Sequence, residues 1–341
     1  MPPRIFIGGT GRSGTTLLYE ALGCHEAIHA LPDEMRFIVD PDGLMPLIDA
    51  LTVRYSPVQA REALYKFERL MRVYLTVPQR APYKDYDLAR WLGDEYYWRR
   101  LDQFCSGLVE LAFDGVDLPV EPVGERGLPE ASAARPWQAR GRSDWRPGAA
   151  ETLTLPREQL NVVKYFPERS SLISSAAAFV EELFLHAARR RGKQTWCEKT
   201  PNNLLHVDFL WELFPRSVFI HIKRDPRGVV HSLVRQDWAP SDVAGACLFV
   251  RGIYERWFDL KGALNLNEHR YLELKLEDVA ASPQASLREI ASFCGLENRF
   301  RGLPEIRPDK VNYWRETMPR EDKRLVNEIL GPYIERLGYE I

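Results

Sequence analysis

Short apolar runs and helically spaced apolar residues alternate along the chain and predict a helix-covered β-sheet. Runs rich in β-branched and aromatic residues predict strands at 5–7, 195–197, 217–222 and 271–276. Apolar residues three or four positions apart predict helices at 15–22, 61–74, 171–190, 203–214 and 283–294. The chain thus opens with a strand, a glycine-rich loop and a helix, the first unit of a parallel sheet.

Residues 113–157 show no apolar period, because prolines and glycines recur throughout them. A stretch this long without its own elements is typical of a lid, a binding loop or a disordered segment. We therefore expect one α/β domain over residues 1–341. It would contain a phosphate-binding loop, a mostly parallel central sheet with helices on both faces, and a long mid-chain insertion at 113–157.

Composition narrows the classes of partner. The chain has 341 residues, 45% of them apolar, and a formal net charge of −2, which gives no reason to expect nucleic-acid or membrane binding. No apolar stretch approaches the roughly 20 residues of a spanning helix, and no leader is expected, so the predicted location is cytoplasmic. The five cysteines form no C-x-x-C pair, which argues against a disulfide framework and structural zinc.

The first candidate site is the loop after the first strand. Residues 9–16 read G-T-G-R-S-G-T-T, the frame of a phosphate-binding loop with Thr15 at the lysine position. Glycines let backbone amides surround an anion, and the following helix presents its positive end. Without the lysine, and with Arg12 before the second glycine, the loop suits a ligand with fewer phosphates than a nucleoside triphosphate.

A second anion site is predicted at the end of the strand at 217–222. Arg224 follows this strand, and Ser232 lies eight residues further, two turns into the next helix. Because ligands of parallel sheets bind at the carboxyl ends of strands, both predicted sites lie on one edge. Neighbouring cations disfavour a metal at Asp225, which we expect to pair locally with an arginine. Two anion sites on one edge imply a ligand with phosphates at both ends.

Together these motifs resemble the sulfotransferase family, including bacterial members and tyrosylprotein sulfotransferases. Residues 276–296 and 311–316 also resemble family segments. The resemblance implies transfer of a sulfuryl group from 3′-phosphoadenosine-5′-phosphosulfate (PAPS), with PAP as product and no metal. It implies that Arg224 and Ser232 bind the 3′-phosphate. Arg235, one turn past Ser232, is expected to support the nucleotide. The implied 5′-phosphosulfate loop comprises Gly11, Arg12, Ser13, Gly14, Thr15, Thr16 and Leu17.

The resemblance also implies catalytic groups. Lys199 matches the family's lysine at the bridging oxygen, and Arg12 matches its loop cation. Pro201 stands where small-molecule sulfotransferases have a histidine base. Residues 33–38 instead resemble a segment whose glutamate is the base, which gives this role to Glu34. The alternatives are Asp33, and two histidines in the same connection, His25 and His29.

The acceptor is open: we expect a hydroxyl or an amine of a small molecule or sugar. Two other functions remain, a P-loop kinase using ATP and a catalytically silent nucleotide-binding module. The oligomeric state is not indicated by the sequence.

Overall fold

The computed structural model describes residues 2–76, 86–116, 157–264, 266 and 270–341. Its central sheet has five strands in the order β2-β5-β1-β6-β7, all paired in parallel. Antiparallel β3 and β4 form a separate hairpin. The strands are β1 (Ile5–Gly8), β2 (Ile28–Ala30), β3 (Val109–Val116), β4 (Arg157–Val163), β5 (Thr195–Lys199), β6 (Val218–Lys223) and β7 (Tyr271–Lys275).

Helices surround this sheet. They are α1 (Thr15–Gly23), α2 (Leu44–Leu51), α3 (Pro57–Arg69), α4 (Leu88–Leu92), α5 (Glu95–Gly107), α6 (Arg169–Arg189), α7 (Val207–Leu213), α8 (Pro226–Leu233), α9 (Val243–Ala263), α10 (Leu276–Ala281), α11 (Pro283–Phe293), α12 (Pro308–Asn312), α13 (Trp314–Thr317) and α14 (Arg320–Arg336). A π-helical turn at Leu70–Tyr74 follows α3, and a 3-10 turn at Pro201–Leu205 precedes α7.

The central strand β1 is buried on both faces, which explains its unbroken apolar sequence. Ile5 and Ile7 pack with Leu18 of α1 and with α11. Phe6 points to the opposite layer, where its ring contacts Trp196 of β5 edge-on at 5.3 Å. The expected mostly parallel sheet with helices on both faces is confirmed.

Several predicted boundaries are wrong for local reasons. The helix predicted at 61–74 begins earlier, because Ser56 caps it and Pro57 occupies the first turn, and its last turn is π-helical. The helix predicted at 203–214 is a 3-10 turn followed by the shorter α7. The edge strand β2 has three residues, too few for a detectable period.

The predicted insertion at 113–157 lies mostly outside the described residues. Its two ends belong to the hairpin, in which Val116 pairs with Arg157. A single domain over residues 1–341 stays a prediction. Among the described helices, α6 alone is long and apolar enough to cross a membrane, and 50% of its apolar window is buried inside the molecule.

Candidate active site

The loop between β1 and α1 has the backbone of an anion cradle. Gly11, Arg12 and Gly14 have φ angles of 69°, 55° and 98°, all in the left-handed region. Such turns direct successive amide N–H groups toward one point, and α1 adds its amino-terminal amides. The Gly9 amide donates to the carbonyl of Pro201 at 3.1 Å, which fastens the start of the loop to the chain after β5.

Ser13 packs inside this loop, close to Gly9. Its side chain is fully buried, and its hydroxyl has no hydrogen-bond partner among the described residues. A Cβ at Gly9 would stand 2.3 Å from the Ser13 Oγ and 2.7 Å from the Ile222 carbonyl, so this position has no room for a side chain. The Ser13 hydroxyl therefore lies against the Gly9 backbone.

The two predicted anion sites touch each other. Arg224 Nη1 donates to the Arg12 carbonyl at 3.2 Å, and Nη2 donates to the Val311 carbonyl at 2.7 Å. Arg12 Nε donates to Ser232 Oγ at 3.0 Å. Both sites open into one cavity of about 370 Å³. The cavity is lined by Arg12, Gly14, Thr15, Thr16, Leu17, Arg224, Ser232, Leu276, Glu305, Ile306, Arg307, Lys310 and Val311.

The cavity is electropositive. Its wall carries four cations, Arg12, Arg224, Arg307 and Lys310, against one carboxylate, Glu305. Burial, together with the nearby Arg12 guanidinium, lowers the pKa of Arg224. A bound anion would stabilise such a desolvated cation. The Nε of Arg224 is buried without a hydrogen-bond partner among the described residues and lies against Gly228 of α8.

The start of α8 holds Arg224 in place. The Asp225 carboxylate accepts from the Arg227 amide at 2.9 Å and binds its guanidinium through Nε and Nη2, the local pairing that the sequence predicts. A Cβ at Gly228 would stand 2.8 Å from the Arg224 Nε and from the Trp314 ring. Glycine at this position therefore lets Arg224 pass close to the helix.

Three predicted donor-site residues do not line the cavity. Gly11 and Ser13 belong to the loop backbone beside it. Arg235 Nη2 instead lies 2.8 Å from His231 Nε2, one turn earlier on α8. Sequence reasoning missed Arg307 and Lys310, which follow no strand or glycine loop.

Lys199 and Glu34 form an ion pair on the other side of the loop. Lys199 Nζ donates to Glu34 Oε1 at 3.0 Å, with side-chain exposures of 7% and 31%. The Tyr19 ring of α1 lies 5.9 Å from the same Nζ. Asp33 has a φ of 58°. Its Oδ1 accepts a hydrogen bond from the backbone amide of the next residue, Glu34, at 2.8 Å, so this carboxylate is engaged with the local backbone.

The two alternative histidines are engaged elsewhere. His25 precedes β2, and its Nε2 lies 2.8 Å from the Glu297 carbonyl. His29 Nε2 lies 3.2 Å from Arg191 Nη1, and burial with this cation lowers the pKa of His29 to about 4. Arg191 belongs to the connection entering β5, at the amino edge of the sheet.

The sheet order arranges these groups in a row. The loop follows central β1, Arg224 follows its neighbour β6, and Lys199 ends its other neighbour β5 opposite Ile7. Glu34 follows β2, which is paired to β5. Two groups of residues therefore flank the loop: Arg224 with Ser232, the candidate anion-binding half, and Lys199 with Glu34, the acid–cation half.

The chain belongs to the sulfotransferase family, whose profile matches residues 124–300. The matched part includes Lys199, Arg224 and Ser232. A relative from Mycobacterium tuberculosis, omega-hydroxy-beta-dihydromenaquinone-9 sulfotransferase, is 26% identical over 186 residues, as is the protein of the same name from Mycobacterium bovis. The match covers 48% of this chain and 44% of each relative, so it spans less than half of their length.

Two solved structures share the fold. The sulfotransferase domain of the Synechococcus PCC 7002 olefin synthase has a TM-score of 0.53 at 17% identity, covering 99% of this chain and 95% of that one. The sulfotransferase domain from the curacin biosynthetic pathway has a TM-score of 0.50 at 14% identity, covering 100% and 99%.

Proposed function

We propose that this protein transfers the sulfuryl group of PAPS to a hydroxyl or amine of a small-molecule acceptor. The observation that carries the proposal is the shared cavity, in which Arg12 and Arg224 are joined through a hydrogen bond. A nucleotide with phosphates at both ends needs two anion sites within one molecule's reach, and this contact supports two such sites side by side.

In this proposal the loop amides of Gly11–Leu17, with Arg12, bind the 5′-phosphosulfate. Arg224 and Ser232 bind the 3′-phosphate, with Arg307 and Lys310 as added cations on the cavity wall. The left-handed backbone of the loop fits such a ligand. Arg235 would support the nucleotide site indirectly, through its contact with His231 of α8, rather than by contacting the ligand. The bound donor supplies an activated sulfuryl group whose leaving group is a phosphate.

The acid–cation half would perform the transfer. Glu34 takes the proton of the acceptor as the acceptor oxygen or nitrogen bonds to sulfur and the bond from sulfur to the bridging oxygen breaks. Lys199 and Arg12 stabilise negative charge that develops on that bridging oxygen. The ion pair orients Glu34 before the reaction, and the sulfuryl group would then compete with Glu34 for Lys199.

The acceptor and the cellular setting are finer proposals. The mycobacterial relatives are named for a menaquinone derivative, which supports a small-molecule acceptor, whereas a sugar has no such support. We propose a cytoplasmic enzyme that uses no metal and binds neither nucleic acid nor membrane.

Ligand preference tests the function. We expect PAP to raise the melting temperature and ATP–Mg²⁺ to raise it far less, because Thr15 replaces the lysine that a triphosphate requires. A preference for ATP–Mg²⁺ would favour the P-loop kinase. PAP binding combined with no release of radiolabelled sulfuryl from PAPS, to water or to any acceptor screened, would favour the silent module.

A further inference from the structure

Next to Lys199 on β5 lies a carboxylate that the proposed transfer does not use. Glu198 is 0% exposed. Its Oε1 accepts the Met35 amide at 3.1 Å and the Thr200 hydroxyl at 2.6 Å, and its Oε2 accepts from Asn203 Nδ2. These bonds satisfy both oxygens of a group whose burial alone is costly.

The bonds join separate parts of the site. Met35 belongs to the connection that carries Glu34, whereas Thr200 and Asn203 belong to the turn after β5. Asn203 Nδ2 also donates to the Ile7 carbonyl at 3.2 Å, at the end of β1 just before the loop. Glu198 therefore lies where the segment that carries Glu34 meets the ends of β1 and β5.

Two consecutive residues of the segment after β2, Glu34 and Met35, contact two consecutive residues at the end of β5, Lys199 and Glu198. Side chains of successive strand residues point to opposite faces, so Glu198 and Lys199 face different sides. Glu34 contacts Lys199 through its side chain, while the next residue, Met35, contacts Glu198 through its backbone. The segment that carries Glu34 is thus bonded to the end of β5 at two points, one at Lys199 and one at Glu198.

We infer that Glu198 is a positioning residue whose bond to the Met35 amide holds Glu34 beside Lys199. This inference rests on the proposed function, in which Glu34 is the base. Asp33 turns the segment through a left-handed φ of 58°, a conformation that non-glycine residues adopt at a cost, so the segment needs such support. Displacing a catalytic group by about 1 Å can lower a rate by about 100-fold.

Amide hydrogen exchange tests the contact without any acceptor. Exchange is compared at about pH 8, because burial raises the pKa of Glu198 to about 7 and the carboxylate is largely ionised above it. In Glu198→Gln the new amide group opposes the Asn203 donor, and the Met35 amide loses a charged acceptor. We expect its exchange to accelerate about tenfold or more, the scale of one charge-assisted hydrogen bond. Exchange of the Ile7 amide reports whether the sheet stays folded.

Two matched variants separate the role from general loss of a polar group. Thr200→Val removes another bond to Glu198 but leaves the Met35 bond, and Glu273→Gln removes a carboxylate of the same sheet on β7. Both are expected to leave Met35 exchange within a few-fold of wild type. Unchanged Met35 exchange in Glu198→Gln, or equal acceleration in Glu273→Gln, overturns the inference while leaving the proposed function standing.

A double-mutant cycle tests the catalytic consequence. Release of radiolabelled sulfate from PAPS to water measures transfer: a water oxygen bonds to sulfur, the bond to the 5′-phosphate oxygen breaks, and Glu34 takes the water's proton. If Glu198 acts through Glu34, Glu198→Gln slows wild type but adds little to Glu34→Gln. Multiplied losses would indicate a merely structural role. Absence of PAP binding in wild type would instead refute the proposed function.

Discussion

Replacing Arg224 by alanine tests the nucleotide site most directly. Arg224 follows β6, is 9% exposed, and joins the loop to α12 through the Arg12 and Val311 carbonyls. In the proposed complex its guanidinium contacts the 3′-phosphate. The substitution therefore removes a charge-assisted contact to the ligand and two contacts within the protein.

The ligand contact has a magnitude of about 1.5–3 kcal/mol, the usual scale for a hydrogen bond to a charged group. That corresponds to about 10- to 150-fold weaker PAP binding. Arg224→Lys keeps the charge but loses the planar fork, so we expect an intermediate loss. Calorimetric titration with PAP measures all three proteins, and thermal melts report how far the lost internal bonds destabilise the fold.

Adenosine 5′-monophosphate separates the two effects. It lacks the 3′-phosphate, so direct contact predicts that Arg224→Ala weakens PAP binding by the full factor and leaves binding of the monophosphate nearly unchanged. Equal losses for both ligands would show that Arg224 acts only by bracing the loop. If PAP affinity were unaltered, Arg224 would not be part of the nucleotide site, and the shared cavity would no longer support the proposed function.

Three further substitutions have definite expected results. Glu34→Gln should keep PAP affinity in calorimetry while lowering turnover about 100-fold or more, the contribution of a general base; wild-type turnover would exclude Glu34. Gly14→Ala puts a side chain at a φ of 98° and 2.5 Å from Leu276, so thermal melts should show a loss of about 1–3 kcal/mol. Burial raises the pKa of Glu198 from 4.5 to about 7, against its hydrogen bonds. The folded state therefore holds the proton more tightly, and urea unfolding at pH 4.5 and pH 7 should show wild type losing up to about 3 kcal/mol as pH rises, a loss that Glu198→Gln should not share.

Local sequence was sufficient for the central part of the sheet. Buried β1 reads as an apolar run and β6 as a mostly apolar one, and each is followed at once by candidate ligand-binding residues, so motif and element coincide. The parallel arrangement then brings Arg12 and Arg224 to one edge, since both strands end there. The assignment of Glu34 came instead from resemblance, because nothing in the residues around it distinguishes a base from a solvated acid.

The rest of the site depends on contacts that are distant in sequence. Arg307 and Lys310 reach the cavity because α10 and α12 pack together, which no local pattern encodes. Glu198 reads as one more polar residue beside Lys199, and its burial becomes evident only when the Met35 segment covers it. β2 is recognisable only as a partner of β5.

Because of the strand order, the residues proposed to determine donor affinity and those proposed to determine turnover lie on different sides of the loop. In the proposed complex, β6 and its helix contact the part of the donor that does not react, whereas β5 and the segment after β2 carry the groups proposed to act at the reacting atoms. Changes on the β6 side should therefore alter donor affinity with little effect on saturated turnover, and changes on the β5 side should do the reverse. The loop of β1 lies between β5 and β6. In the proposed function Arg12 both binds the 5′-phosphosulfate and stabilises the bridging oxygen, so Arg12→Ala is the substitution expected to lower both quantities.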